Sequence, residues 1–293
     1  MSLEASVLFD VGGRIALVTG GGTGLGLTAA LALACNGAKV YISGRRKERL
    51  DEAVSEYSDK VLPGSLIAIQ GDVSSKESLA CIAETIRRDE GKLDILINNA
   101  GIEGPVTKLP CSTTLCSLSA SDVSCSHLSS ESFQAWDQLF QVNTSSVFFS
   151  TMTMLPLLTA SHTSSYTSSV INITSISGMV KVSQSHYAYN ASKAAANHLT
   201  QMLAHELKFK CNLPLRINAI APGLFSSEMT SSGKSEKGKT NSQDVKDHFN
   251  PAGRVGSEHE YAQVILLLAC NTFITGQIIA VDGGFLTAVP ANR

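Results

Sequence analysis

Residues 15–26, Ile15-Ala16-Leu17-Val18-Thr19-Gly20-Gly21-Gly22-Thr23-Gly24-Leu25-Gly26, decide the fold. The opening apolar run does not alternate, which marks a strand covered on both faces. Glycines then let the backbone turn sharply into a helix that starts near Gly24. Free N–H groups at the start of such a helix favour a phosphate. Any tight strand-to-helix connection can use glycines, so the turn needs support from the rest of the chain. Its spacing is not G-x-G-x-x-G, because position 27 is leucine; it is T-G-x-x-x-G-x-G.

The same rhythm continues on either side. Ile15–Thr19, Lys39–Ser43, Leu66–Gln70, Leu93–Ile97, Val170–Thr174, Arg216–Ile220 and Gln277–Val281 read as strands, nearly all apolar. Helical patterns lie between them: Gly24–Asn36, Lys47–Asp59, Ser75–Glu90, Glu131–Leu158, Ala188–Lys210 and Glu258–Cys270. Strand–helix alternation requires crossover connections, hence an α/β fold with a doubly wound parallel sheet of seven strands. One continuous alternation predicts one domain over residues 1–293. Two segments interrupt it. Residues 104–132 are rich in Ser, Thr and Cys and lack periodicity, and are either a binding loop or a surface insertion. Residues 231–243, SSGKSEKGKTNSQ, are polar and sit within a segment, 224–250, expected to serve as a substrate lid.

Composition removes several classes of function. The chain has 293 residues, 43% hydrophobic and 16% charged, which is incompatible with a disordered protein. A net charge of −2 gives no footprint for nucleic acid or an anionic membrane surface. The longest apolar run, Val264 to Cys270, is too short to span a bilayer. The first ten residues, MSLEASVLFD, have no basic start or sustained apolar stretch and do not read as a signal peptide. Seven cysteines, an odd and scattered number, suit a reducing compartment, so a cytoplasmic protein is expected.

Further motifs follow the strands in order. Asp72-Val73 comes after the third strand and Asn98-Asn99-Ala100-Gly101 after the fourth. Asn143 lies seven residues beyond Trp136. Asn172-Ile173-Thr174-Ser175 ends the fifth strand, and Tyr189-Asn190-Ala191-Ser192-Lys193 forms Y-x-x-x-K. Pro222-Gly223 follows the sixth strand, and Val281-Asp282-Gly283-Gly284 closes the last. Together with the glycine turn, these motifs resemble the short-chain dehydrogenase/reductase family, in its branch of about 250-residue subunits, over residues 11–286; the 104–132 segment is the main departure.

The resemblance implies a Rossmann-like fold and hydride transfer between a nicotinamide and a carbonyl or alcohol. It implies that Ser175 polarises the substrate carbonyl, Tyr189 exchanges the proton, and Lys193 assists while holding the nicotinamide ribose. Asn143 corresponds to a helix-kink asparagine that positions a water in the proton relay. Ser177 is a competing serine, but N-I-[ST]-S favours Ser175. The expected cofactor site comprises Gly20, Gly22, Thr23, Leu25, Gly26, Ser43, Arg45, Arg46, Asp72, Val73, Asn99, Ala100, Gly101, Thr174, Tyr189, Lys193, Pro222, Gly223 and Phe225.

Independently of the family, Tyr189 and Lys193 are i and i+4 and project from one helix face. Of the six tyrosines only Tyr189 has a lysine at that spacing. A tyrosine with its ordinary pKa near 10 is a poor base at neutral pH. Bringing it to about 7 needs roughly 4 kcal/mol of differential stabilisation, for which Lys193 and an oxidised nicotinamide are plausible sources. The alternative is a pair on a helix surface.

Cofactor choice is argued from charge. NAD enzymes of this fold carry Asp or Glu after the second strand. Here the strand ends Ser43-Gly44-Arg45-Arg46, where two guanidiniums would attract a 2′-phosphate. NADP(H) is therefore expected over NAD(H), although position 23 is Thr23 rather than a basic residue, and Arg45 and Arg46 could instead simply open a solvated helix.

Weaker candidates remain. Cys111, Cys116, Cys125 and His127 match no structural zinc spacing, so no metal is expected. His186 either lines the substrate pocket or lies on the surface. No G-x-S-x-G elbow supports a hydrolase. The helices at 131–158 and 188–210 carry more apolar residues than one buried face needs, which in the family implies a homo-oligomer, a tetramer or a dimer, against a core-only role. Residues 216–230 look most like members named 3-oxoacyl-carrier reductases of the rhamnolipid type, whose fungal representatives often serve secondary metabolism. The expected substrate is a hydrophobic ketone reduced to a secondary alcohol. The alternatives are a non-redox step in the same pocket, such as dehydration or cyclisation, and a non-catalytic dinucleotide-binding regulator.

Overall fold

The computed structural model describes residues 2–109, 118–226 and 250–289. Its centre is one parallel sheet of seven strands: β1 Ile15–Thr19, β2 Lys39–Gly44, β3 Ser65–Gln70, β4 Ile95–Asn98, β5 Ser168–Ile173, β6 Leu215–Pro222 and β7 Ile278–Val281. The strand order is β3-β2-β1-β4-β5-β6-β7. Chain direction across the sheet reverses between β1 and β4, paired Val18 to Ile97, so a crevice opens at the carboxyl ends of these two strands.

Helices cover both faces. After a short helix α1 (Ala5–Leu8) come α2 (Gly24–Cys35), α3 (Lys47–Tyr57), α4 (Lys76–Glu90), α5 (Ala120–Ser130), α6 (Phe133–Phe140), α7 (Ser146–Ala160), α8 (Tyr187–His205), α9 (Glu258–Cys270) and α10 (Phe285–Ala288). Alternation along each strand sends side chains to opposite layers. Ala16 and Val18 of β1 join Ala30 and Leu33 of α2 and Ile265 of α9 on one face. Ile15 and Leu17 join Ile82 of α4, Met154 of α7 and Leu203 of α8 on the other. No helix of the described residues is long and apolar enough to cross a membrane.

Three expectations change. The long helix at 131–158 is interrupted: Ser132 caps α6 by accepting from the Ala135 N–H, and a π-helical turn over Gln141–Ser145 separates α6 from α7. The helix at 188–210 likewise ends in a π turn over Glu206–Lys210. The 104–132 segment, expected to lack regular structure, contains α5, whose start is fixed by a reciprocal capping box between Ser119 and Asp122. Of the expected lid at 224–250, only Leu224–Ser226 and Asn250 belong to the described residues.

Candidate active site

The crevice at the carboxyl ends of β1, β4, β5 and β6 is a cleft of about 350 Å³ running from Arg46 at one end to Tyr189 at the other. The glycine turn forms its floor. Gly20, Gly22, Thr23, Leu25 and Gly26 all line it, and Thr23 at the N-cap of α2 makes no side-chain capping hydrogen bond among the described residues. Gly26 has to be glycine for a packing reason: a Cβ there would fall on the Gly20 carbonyl and on Nδ2 of Asn99. That amide donates to the carbonyls of Thr19 and Gly20 at 3.0 and 3.1 Å. Thr19 Oγ1 in turn accepts from the N–H groups of Asn99 and Ala100. The ends of β1 and β4 are thereby stitched together under the cleft, where Asn99, Ala100 and Gly101 line the wall.

Arg45 and Arg46 flank the far end. Arg49, on the next turn of α3, joins them and was missed in the sequence, although its i+3 spacing from Arg46 places it on the same face. Asp72 and Val73 line the adenine end expected from the motif order. Burial alone would raise the Asp72 carboxyl, but hydrogen bonds from the Ser74 hydroxyl and N–H, with Arg45 nearby, hold it below its usual range.

Ser43 does not line the cleft; its neighbour Gly44 does. Side chains alternate along β2, so Ser43 follows Tyr41 to the opposite layer, where its hydroxyl is buried with no partner among the described residues.

The reacting end is built by β5 and α8. Thr174, Ser175, Tyr189 and Lys193 line it, with Pro222, Gly223 and Phe225 opposite. Ser175 Oγ accepts from the Ser177 N–H at 3.1 Å, and Ser175 lies close enough to the Tyr189 phenol to pull its proton affinity down. Ser177 itself lies outside the cleft lining. Gly178 lets this turn press on α8: a Cβ there would lie 2.6 Å from the Ala194 nitrogen. A buried polar network supports the floor. Asn98 Nδ2 donates to Asn172 Oδ1 at 2.9 Å, Asn172 Nδ2 donates to Thr200 Oγ1, and Ser150 Oγ donates to Asn98 Oδ1.

Lys193 is buried and donates to the Ile173 carbonyl at 2.9 Å; its Nζ is 5.7 Å from the Tyr189 ring centre. Burial pulls the Lys193 ammonium from 10.5 down to about 8. Tyr189 moves the other way, up to about 12, chiefly through burial, against the Ser175 hydrogen bond and with the Glu103 carboxylate adding to the rise. The phenol of the chain by itself is therefore not lowered; the expected lowering by Lys193 together with an oxidised nicotinamide concerns the complex.

Asn143 stands just outside the cleft in the π turn. Its Oδ1 accepts from the Ile102 N–H and its Nδ2 donates to the Ile102 carbonyl, each at 2.9 Å, so its side chain clamps the segment after β4. Oδ1 and the Lys193 Nζ both come close to Gly101, at 3.4 and 3.6 Å from where its Cβ would be.

Cys111 and Cys116 lie outside the described residues, Cys125 is exposed, and His127 packs edge-on against Tyr187. Among the described residues no three His, Cys, Asp or Glu side chains converge as a metal site. His186 faces Glu103 rather than the cleft interior.

Comparison with known proteins settles the family. Residues 14–238 match the short chain dehydrogenase model. The chain belongs to the short-chain dehydrogenase/reductase family. Within it, the chain is 39% identical over 298 residues to the short-chain dehydrogenase/reductase PhomF of Diaporthe leptostromiformis, covering 99% of this chain and 97% of that one. It is 34% identical to the rhamnolipids biosynthesis 3-oxoacyl-[acyl-carrier-protein] reductase of Pseudomonas aeruginosa, over 94% of this chain and 98% of the relative. The Pseudomonas aeruginosa RhlG/NADP active-site complex superposes with a TM-score of 0.80 at 33% identity, covering 95% of this chain and 98% of that one. The family and the fold are those that the motif order implied, and family members are oxidoreductases.

The residues present fit a nicotinamide dinucleotide. A glycine cradle at the start of α2 would receive the pyrophosphate. Guanidiniums stand where the adenosine ribose would end, and Asp72 and Val73 lie beside the expected adenine.

Proposed function

We propose that this chain is an NADP(H)-dependent reductase that converts a hydrophobic ketone to a secondary alcohol. The observation that carries the reading is the convergence of Ser175, Tyr189 and Lys193 at one end of the cleft whose other end is the glycine cradle and the arginines. When bound, the dinucleotide supplies the hydride. Gly20, Gly22, Thr23, Leu25 and Gly26 would hold its pyrophosphate, Arg45 and Arg46 its 2′-phosphate, and Lys193 its nicotinamide ribose.

Ser175 has its Oγ held by the Ser177 N–H, which leaves its own O–H free to donate to the reacting carbonyl. A phenol held at about 12 stays protonated at neutral pH, so Tyr189 is a proton donor to the developing alkoxide. Lys193, an ammonium below about pH 8, provides the positive charge behind the phenol. Asn143 keeps the Ile102 segment in register with Lys193, and a water between them would complete the proton relay.

The reading extends to one cofactor-binding unit over residues 1–293, in the cytoplasm, acting in secondary metabolism. The fungal relative supports the last point by its similarity alone. Exposed Phe148 and Phe149 on α7 and Met202 on α8 support a homo-oligomer formed through these helices.

Titration of the protein with NADPH and NADH tests the cofactor assignment. The expected result is tight NADPH binding with NADH weaker by about 10- to 100-fold, the worth of charge-assisted hydrogen bonds to one phosphate. Equal affinities would remove the role given to Arg45 and Arg46.

A further inference from the structure

Three segments meet around the start of α8, beside Tyr189. One follows β4 and carries Glu103 and Thr107, the second is the turn Ser183–His186 leading into α8, and the third is the end of α5 with Glu131. Their contacts are specific. The Thr107 N–H donates to the Ser185 carbonyl at 2.9 Å. Thr107 Oγ1 donates to Glu131 Oε1 at 2.6 Å, and Trp136 Nε1 donates to Glu131 Oε2 at 2.7 Å, so that carboxylate is fully engaged. His127 packs edge-on against Tyr187 at 5.1 Å. The turn needs such support, because Gln184 and Ser185 both sit in the left-handed region, with φ of 50° and 68°.

His186 closes this arrangement. Its Nε2 lies 2.9 Å from Glu103 Oε1, and its Nδ1 contacts the Gln184 carbonyl. A carbonyl oxygen and an ionised carboxylate only accept, and the imidazolium, with two N–H groups, is the form of the ring that can serve both contacts. A neutral ring leaves one contact without a proton.

We propose that His186 is a positioning residue that, as an imidazolium, pins the Glu103–Thr107 segment to the entrance of α8 and so holds the wall beside Tyr189. Its second effect is electrostatic. Glu103 adds to the upward pressure on the Tyr189 phenol, and a protonated His186 partly neutralises that carboxylate.

Among the described residues the groups facing the ring are few. Glu103 and Lys108 come from the segment after β4, and the Gln184 carbonyl from its own turn; Tyr187 and Tyr189 open α8, and His127 approaches Tyr187 from α5. The Glu103 hydrogen bond raises the imidazole above its ordinary value, against burial and the Lys108 charge. A raised histidine holds the wall fully below the ordinary range near 6.5 and releases it as pH climbs through the folded-state value.

The test uses the protein without cofactor or substrate, so its outcome is independent of the reductase reading. Nitrogen-15 NMR of the histidine rings at pH 6.5 should show both His186 nitrogens protonated. In parallel, hydrogen exchange at the Thr107 amide, corrected for its intrinsic pH dependence, should be about tenfold faster in His186→Asn, as expected from losing a charge-assisted hydrogen bond. The same acceleration should appear in the native protein as pH rises past the imidazole titration. Glu103→Gln keeps an acceptor but no charge, so it should lower the His186 titration point while leaving exchange at low pH nearly native. A neutral His186 at pH 6.5, or Thr107 exchange insensitive to both pH and His186→Asn, overturns the proposal.

Discussion

Replacing Lys193 with methionine should make the protein more stable while ending its proposed catalysis. Lys193 is 4% exposed, and among the described residues its ammonium donates one hydrogen bond, to the Ile173 carbonyl. Burial pulls its proton affinity from 10.5 down to about 8. At about 1.4 kcal/mol per pKa unit, keeping the charged form folded costs about 3 kcal/mol. Below pH 8 both folded and unfolded chains carry the proton, and the full cost is present. Between 8 and 10.5 the unfolded chain holds a proton that the folded chain has released, so stability rises with pH.

Methionine has a similar length and no charge. It leaves the Ile173 carbonyl without its donor, which takes back about 1 kcal/mol. The net gain is about 2 kcal/mol at pH 7, to be read from urea unfolding of the two proteins side by side. By pH 10 the gain should have vanished, because the native lysine is by then largely neutral in the folded state and the methionine variant still lacks the hydrogen bond. A gain independent of pH, or a variant less stable at pH 7, would refute the claim that Lys193 is a desolvated charge held in place for function.

The other predictions concern the two ends of the cleft and its clamp. Gly26→Ala should lose about 1–3 kcal/mol of stability in urea unfolding, because the new Cβ collides with the Gly20 carbonyl and the Asn99 amide and must spread the β1–β4 junction. Arg45→Ala should weaken NADPH by about tenfold in a fluorescence titration and leave NADH unchanged. Asn143→Ala orphans both polar groups of Ile102 and should cost about 2 kcal/mol in thermal or urea unfolding, with faster hydrogen exchange at the Ile102 amide as its local signature.

The sheet was legible in the sequence because its strands are covered on both faces and therefore read as short unbroken apolar runs. The site was legible because glycine, asparagine and the i, i+4 tyrosine–lysine pair stand at the strand ends and on one helix face. Asn143 could be picked out by position, but its π turn could not: the apolar pattern from Phe133 to Leu158 continues across it, and the tertiary bond that Asn143 makes there to Ile102 leaves no mark on that pattern. The α5 helix was hidden by serine- and cysteine-rich residues of modest helix propensity, although the Ser119–Asp122 capping pair was visible in principle. Ser43 shows the opposite error. Its place at a strand end suggested the cleft, while strand alternation with Tyr41 sends its side chain to the other layer. The direction of the Tyr189 shift depends on burial and on Glu103, neither of which a local motif records.

The most direct test of the account is NADPH consumption by the native protein and by Tyr189→Phe over a panel of hydrophobic ketones, with NADPH binding measured in both. The account predicts ketone-dependent NADPH oxidation that falls by about 10²- to 10⁴-fold in the variant, the usual worth of a general acid, while NADPH affinity is kept. Equal rates in the two proteins, or turnover of a ketone with no change in NADPH absorbance, would contradict it.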